Sequence, residues 1–191
     1  MIERDGSRHR ARSTRLRRSS EDLAMTQKTM TEKDMFLQTF GHECQTTLKL
    51  LKAYPAAKGD YKPHERSRSA KELAWTFVIE QGLVDMALKG KIDFSQPMPK
   101  PPANLGEVIA AFENASRETT SKVTSATDDT LNRTLQVPTG PGKVGDLRTM
   151  DLLWTTLMDQ VHHRGQLSVY TRMAGGKVPS IYGPSADEPW M

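Results

Sequence analysis

The chain has 191 residues, of which 36% are hydrophobic, so it is long enough for one domain with a buried core and too short for two typical ones. Most of its net charge of +4 arises in the first 24 residues, which hold seven arginines and four acids. The other 20 basic and 19 acidic residues nearly balance, and they form no basic stripe for nucleic acid. The single cysteine excludes an internal disulfide. No stretch of apolar residues approaches the length of roughly 18 that a membrane helix requires. We therefore expect a cytoplasmic protein.

Residues 1–30 form an arm that is rich in arginine and serine and has no periodic apolar pattern. Such a segment buries too little surface to offset the entropy of ordering, so we expect it to be disordered. Because Met25, Met30 and Met35 lie just downstream of the first 24 residues, a mis-assigned start codon is an alternative, with the folded domain spanning residues 31–191. A nucleic-acid-binding tail is the less favoured interpretation, and we expect no nucleic-acid partner.

Apolar residues then recur at helical intervals in two segments. The first follows the capping-box spacing of Thr31 to Asp34 and ends before Pro55. The second starts after a cap at Ser67 or Ser69 and ends at Gly90. Both segments are predicted to be long amphipathic helices.

The second half of the chain predicts two more helices separated by long connections. Prolines from Ser95 to Pro102 predict an extended crossover, after which Asn104 is placed to cap a third helix ending near Ala126. A second long loop is predicted for Thr134 to Lys143, before a fourth helix from about Asp146 to Met173. Four long helices without a convincing strand pattern predict an all-α fold, a four-helix bundle with long crossover loops.

Polar residues interrupt the apolar faces of the second and fourth helices. The second helix has a face formed by Leu73, Thr76, Glu80, Leu83 and Ala87. A buried carboxylate is costly unless it is paired, so an inward Glu80 needs a cation, a donor or a metal, with His163 and Arg164 as candidate partners. On the fourth helix, Asp159 and His163 lie one turn apart and can hold one ion or one proton between them.

The fourth helix has two apolar faces. One contains Leu152, Thr156, Asp159, His163, Gln166, Leu167 and Tyr170, and the other contains Trp154, Leu157, Met158, Val161, Gly165 and Val169. We therefore expect it to pack on two sides, against its own bundle and against a second subunit, with Gly165 at a close contact. The alternative for His163 is a hydrogen-bonded core histidine, and Cys44 is predicted to be a buried apolar residue and not a nucleophile.

The string from His162 to Gln166, within the stretch from Leu153 to Ser185, resembles the C-terminal signature of the DinB/YfiT-like bacterial superfamily. Weaker similarities lie at Thr47 to Leu51 and Ser69 to Ala74, and the resemblance covers about residues 33–186. It implies a four-helix bundle, commonly a homodimer and stress-associated, in which many members hold a divalent metal with three histidines. Some relatives are transferases or isomerases that use a thiol such as bacillithiol, mycothiol or glutathione.

This chain departs from that histidine pattern. Matched residue by residue, the histidine of the second helix falls on Thr76, the first histidine of the last helix falls on Asp159, and only His163 is retained. With Glu80 replacing Thr76, the resemblance implies a Ni, Zn, Mn or Fe ion held by Glu80, Asp159 and His163 in a hydrolase or thiol-dependent transferase. The alternative is a metal-free, non-catalytic dimer that binds a small molecule and in which Asp159 and His163 form a structural pair. The sequence leaves this choice, the catalytic residues and any thiol cofactor open.

Overall fold

The computed structural model describes residues 29–95 and 97–190, so nearly all of the arm predicted for residues 1–30 lies outside the described residues. The elements, in chain order, are α1 (Glu32–Ala53), a short 3-10 helix (Ala56–Lys58), α2 (Ala70–Lys89), α3 (Leu105–Ser125), the short α4 (Asp128–Asn132), β1 (Thr134–Gly140), β2 (Lys143–Arg148) and α5 (Thr149–Met173). None of these helices combines the length and apolarity that crossing a membrane requires.

The four long helices form a bundle. Helix α2 packs against α3 and α5, and α1 packs against the same two helices, so α1 and α2 occupy opposite corners. Aromatic pairs bridge the interfaces: the ring of Phe36 lies 5.2 Å from that of Trp154, and the ring of Phe77 lies 5.8 Å from that of Phe112. The predicted four-helix bundle is confirmed.

The ends of α2 and α3 follow the local signals in the sequence. Ser69, and not Ser67, caps α2, because its hydroxyl accepts a hydrogen bond from the Glu72 amide while the Glu72 carboxylate accepts one from the Ser69 amide. Gly90 ends α2 with a positive φ of 89°. The side chain of Asn104 accepts a hydrogen bond in the first turn of α3 and caps it as predicted.

A β-hairpin joins α4 to α5. Its strands are antiparallel, with Thr134 opposite Arg148 at the open end and Gly142 in the turn at a φ of 67°. Leu135 and Val137 are buried while their neighbours along β1 are exposed. This alternation has the period of a strand with one face on the core.

The hairpin corrects two predictions about this part of the chain. The segment from Thr134 to Lys143 is not an irregular loop, and α5 starts at Thr149 and not near Asp146. The guanidinium of Arg148 fastens the hairpin to the bundle, because it lies 2.8 Å from the carboxylate of Glu32 in α1 and 2.7 Å from that of Asp151 in α5.

The buried face of α5 lies between the two faces predicted for it. Its buried residues are Thr149, Met150, Leu152, Leu153, Thr156, Leu157, Gln160, Arg164, Leu167 and Thr171. Met158 and Val169 of the second predicted face are 65% and 57% exposed, and a Cβ placed on Gly165 would meet no atom within 4 Å. Within the described part of this chain, α5 therefore packs on one side, no residue makes a close contact at Gly165, and packing against a second subunit stays a prediction.

Candidate metal centre

Three candidate ligands converge between α2 and α5. The Oε1 atom of Glu80 lies 3.1 Å from Nδ1 of His163, and Oδ1 of Asp159 lies 3.6 Å from the same nitrogen. One donor atom from each of the three residues falls within 4.8 Å of the other two. The prediction that Glu80 points inward and meets the last helix is confirmed.

The cluster of Glu80, His163 and Asp159 extends from the core to the surface. The side chain of Glu80 is 6% exposed because it lies on the buried stripe of α2, between Phe77 and Val84. His163 and Asp159 lie beside the buried stripe of α5, and their side chains are 16% and 53% exposed. Glu80 therefore closes the cluster on the core side, while Asp159 faces solvent.

Burial determines the protonation of the inner pair. Desolvation, followed by the negative charge of Asp159, raises the pKa of Glu80 to about 9, against a smaller opposing effect of Arg68. Desolvation also lowers the pKa of His163, although Asp159 partly offsets this effect. Without a further cation, Glu80 is thus protonated and the imidazole neutral at neutral pH.

The donor set fits a divalent ion. Among the described residues, no group donates a hydrogen bond to the buried Oε2 of Glu80, and the hydrogen bond that the protonated carboxyl makes with Asp159 is one that an ion would replace. Two carboxylates and one imidazole offer the oxygen and nitrogen donors that Mn, Fe, Ni and Zn accept. Glu80, Asp159 and His163 are therefore the residues that would hold such an ion.

Thr76 does not belong to this cluster. Its hydroxyl donates to the carbonyl oxygen of Glu72 at 3.3 Å and accepts from Nη1 of Arg68 at 2.9 Å. Thr76 stands where the resemblance places the histidine of the second helix. Its hydroxyl is thus hydrogen-bonded to Arg68 and not to the cluster. The residue predicted to replace that histidine, Glu80, is the one that reaches His163.

A second buried polar cluster was not predicted. Arg164, which is 1% exposed, lies with Nη1 2.6 Å from Oε2 of Glu43, so the prediction that it partners Glu80 is wrong. The hydroxyl of Tyr182 donates to the same Glu43 oxygen at 2.8 Å, and the guanidinium stacks 5.0 Å from the Tyr182 ring. The sequence around Glu43 does not predict this pairing, because Arg164 and Tyr182 lie far from Glu43 in the sequence.

Amide side chains continue this polar cluster through the core. The Nε2 atom of Gln81 donates to Oε1 of Gln160 at 3.0 Å, and Nε2 of Gln160 donates to the Thr47 hydroxyl at 3.2 Å. These bonds satisfy polar groups on the helix faces that form the core. They also explain why the apolar pattern of α5 does not identify its buried face.

Cys44 and His162 have no place among the candidate ligands. Cys44 is buried, and burial raises the pKa of its thiol to about 11, so the thiol stays protonated. This agrees with the prediction that Cys44 is not a nucleophile. His162 is exposed, with its Nε2 atom 2.8 Å from the amide nitrogen of Gln166.

A cavity of about 600 Å³ opens beside the cluster. It lies between α2, α3 and the proline-rich crossover, and Glu80 and Asp159 are part of its lining. The indole nitrogen of Trp75 donates to the carbonyl oxygen of Pro99 at 2.6 Å and so holds the crossover over α2. Two of the three candidate ligands, Glu80 and Asp159, therefore border a space large enough for a small organic molecule.

Comparison with known proteins agrees with this architecture. The sequence model of the DinB family matches residues 25–190. The chain belongs to the DinB family. The uncharacterized protein YrdA of Bacillus subtilis (strain 168) is 27% identical to this DinB-family protein over 164 residues, which cover 81% of this chain and 90% of YrdA.

Two solved structures share the fold. A crystal structure of a DinB-like protein from Bacillus subtilis superposes with a TM-score of 0.62 at 20% identity, over 75% of this chain and 94% of the other. A DinB-like protein from Bacillus cereus ATCC 10987 gives a TM-score of 0.64 at 21% identity, over 77% and 95% of the two chains.

Proposed function

We propose that this DinB-family protein is a divalent-metal-dependent enzyme of the hydrolase or thiol-dependent transferase class, whose ion is held by Glu80, Asp159 and His163. The observation that carries the proposal is the approach of the three donor atoms to within 4.8 Å beside a cavity of about 600 Å³. The buried Oε2 of Glu80 supports it, because no described residue donates a hydrogen bond to this atom and an ion would provide it with a partner.

Each residue has a distinct role in this proposal. A divalent ion would supply a Lewis acid for a bound water, carbonyl or thiol. Glu80 and His163 bind from the buried side, where neighbouring atoms fix their positions. Asp159 is half exposed, so its carboxylate would bind the ion from the mouth of the cavity. The apolar walls orient the substrate and exclude water.

The first test is the metal content of protein purified without a histidine tag under native metal supply. Wild type should contain close to one ion per chain, and His163→Ala and Glu80→Gln should contain almost none. His162→Ala is the matched control, because it removes a neighbouring histidine outside the cluster and should keep the ion. Absence of stoichiometric metal, or equal content in the two histidine variants, would contradict the proposal.

The second test addresses catalysis. Ester and amide hydrolysis and thiol conjugation should be assayed with metal-loaded wild type, metal-stripped wild type and His163→Ala. Turnover that is restricted to the metal-loaded wild type supports an enzyme. Rates that do not depend on the metal, or that persist in His163→Ala, count against it.

The alternative is a metal-free, non-catalytic binding protein in which Asp159 and His163 form a structural pair. It is favoured by the contact of 3.1 Å between Glu80 and His163 together with a Glu80 pKa of about 9, because a proton then takes the place of the ion. Under this alternative, divalent ions should leave the melting temperature unchanged, and His163→Ala should lower stability without removing any activity.

We also propose a homodimer that buries the exposed face of α5. Met158, Val169 and Met173 are 65%, 57% and 52% exposed, and Gly165 on the same helix leaves room for a close approach. Light scattering should give twice the chain mass for wild type. The Val169→Glu variant should be monomeric, whereas Thr120→Glu, which changes an exposed position of α3 outside this face, should remain dimeric.

A further inference from the structure

A second cavity continues the one beside the candidate metal centre. It has a volume of about 610 Å³ and lies between the segment before α2, the first turns of α2 and the proline-rich crossover. Five residues line both cavities: Trp75, Thr76, Ile79, Met98 and Pro99. The two cavities therefore form one groove along α2, which we call the α2 groove.

The end of the α2 groove away from the metal centre is cationic. Its lining includes Lys62, Arg66, Arg68 and Lys100, against two carboxylates, those of Glu65 and Glu72. The Glu72 carboxylate is engaged, since it accepts the Ser69 amide in the cap of α2. Among the described residues, none of the four cations has an ion-pair partner.

Arg68 connects this cationic end to the candidate metal centre. Its Nη1 atom donates to the hydroxyl of Thr76, and its backbone carbonyl accepts a hydrogen bond from the hydroxyl of Tyr170 in α5 at 3.2 Å. These contacts hold the residue in the second cavity beside Thr76, which lines both cavities, and the described residues make no other hydrogen bond to its guanidinium. A guanidinium with two parallel N–H groups matches the oxygens of a carboxylate or a phosphate.

The rest of the α2 groove is mainly apolar. The wall of the first cavity includes Val78, Ile79, Leu83, Met86, Phe94 and Met98. Gln81 also lines it, and its Oε1 atom is buried without a partner in the described part of the chain. The groove thus offers a cationic end and an apolar middle, with Glu80 and Gln81 among the residues of its wall.

We propose that the α2 groove binds an organic anion with an apolar body, whose carboxylate or phosphate is held by Arg68 with support from Lys62, Arg66 and Lys100. The apolar body lies in the first cavity and points its far end toward Glu80 and Asp159. That this anion is the substrate rests on the proposed function. Its binding through Arg68 requires no metal.

Calorimetric titration of the full-length protein with four matched probes tests the charge preference. The probes are octanoate, octyl phosphate, 1-octanol and octylammonium, each added to metal-stripped and to metal-loaded protein. At least one anion should bind, and the alcohol and the ammonium should bind about tenfold more weakly or not at all, since a charge-assisted hydrogen bond is lost. The stronger of the two anions identifies the head group.

Arg68→Gln tests the residue that holds the anion. It should weaken anion binding by about tenfold or more, while Arg68→Lys should lose less because the charge is kept. Lys52→Gln is the matched control, since it removes an exposed cation of α1 that lines neither cavity, and its affinity should equal that of wild type. The double variant Lys62→Gln, Lys100→Gln should also bind more weakly, so a folding defect of one variant leaves the proposal testable.

The outcomes separate this inference from the proposed function. Equal binding of octanoate and 1-octanol, or unchanged anion binding in Arg68→Gln, would overturn the inference. Anion binding to metal-loaded wild type that is lost in both His163→Ala and the metal-stripped protein would also overturn it, because the anion would then be bound by the ion. If the wild-type protein takes up no metal and still binds the anion, the proposed function is contradicted and the α2 groove remains a binding site.

Discussion

Two glutamates, Glu43 and Glu80, are buried in this bundle, with exposed fractions of 7% and 4%, and their surroundings differ. The carboxylate of Glu43 meets the guanidinium of Arg164 at 2.6 Å and the hydroxyl of Tyr182 at 2.8 Å. The carboxyl of Glu80 meets the imidazole of His163 at 3.1 Å, and no described residue donates a hydrogen bond to its second oxygen.

This difference in surroundings indicates that Glu43 is a structural residue and that Glu80 is a candidate functional residue. Glu43 has a fixed positive charge and a hydroxyl donor, so the protein itself compensates its desolvation. Glu80 has a neutral imidazole and the negative charge of Asp159 near it, and the pKa of Glu80 rises to about 9 as a result. A buried acidic group that the fold leaves uncompensated beside a cavity is available for a ligand.

Breaking the Glu43 pair should have the largest effect on stability. Arg164→Met leaves the Glu43 carboxylate buried without its cation, which should lower the free energy of unfolding by about 3–5 kcal/mol. Glu80→Gln in metal-free protein should be close to neutral or stabilising, since it replaces a protonated carboxyl by a neutral amide. Urea denaturation of both variants measures the contrast, and similar losses for the two would contradict it.

Adding metal should stabilise the protein only through the Glu80 cluster. At a free metal concentration of about 100 times the dissociation constant, wild type should gain about 2.7 kcal/mol in the free energy of unfolding. Glu80→Gln should gain almost nothing, while His162→Ala should gain as much as wild type. Thermal unfolding at increasing concentrations of Mn, Ni and Zn measures these shifts, and an equal gain in Glu80→Gln would place the ion elsewhere.

The pH dependence of stability should also distinguish Glu80. Its pKa is raised from 4.5 to about 9 in the folded chain, so its contribution is fully present below pH 4.5 and is lost as the pH rises toward 9. Metal-free wild type should therefore lose up to about 1.4 kcal/mol per pH unit relative to Glu80→Gln. Parallel stability curves of the two proteins from pH 5 to pH 9 would show that this carboxyl is not protonated in the fold.

The smallest effect concerns the hydroxyl that completes the Glu43 cluster. Tyr182→Phe removes its hydrogen bond to Glu43 and should lower the free energy of unfolding by about 1 kcal/mol, without altering metal uptake. Trp190→Phe is a control in the same C-terminal segment, because its indole binds Ser180 and not the buried pair. A change in metal content in Tyr182→Phe would show that the two clusters are coupled.

The sequence predicts the four long helices because their apolar residues recur with the helical period and their caps are local. The hairpin was missed because the alternation at Leu135 and Val137 is short and is followed at once by Pro138, which weakens a strand prediction. The buried face of α5 was misplaced because Gln160 and Arg164, both polar, lie at its centre. Periodicity cannot identify a core face whose polar residues are satisfied by other helices.

The candidate site, like the fold, could be predicted from the sequence only where its signals are local. Glu80 could be singled out because a carboxylate on an apolar face requires a partner, and the spacing of Asp159 and His163 is local. The cationic end of the α2 groove could not, because Lys62, Arg68 and Lys100 come from segments that only the fold brings to one cavity. The chain beyond residue 24 has nearly equal numbers of basic and acidic residues, so its composition does not indicate a cationic site.

The most direct test of the account is the anomalous scattering of crystals of the full-length protein grown with Mn or Zn. An ion held by the proposed ligands should give one strong peak per chain, about 2.0–2.2 Å from a donor atom of each of Glu80, Asp159 and His163, and no such peak in Glu80→Gln crystals. A wild-type map without a peak between these three residues, at a metal concentration that saturates other binding assays, would contradict the proposed metal site.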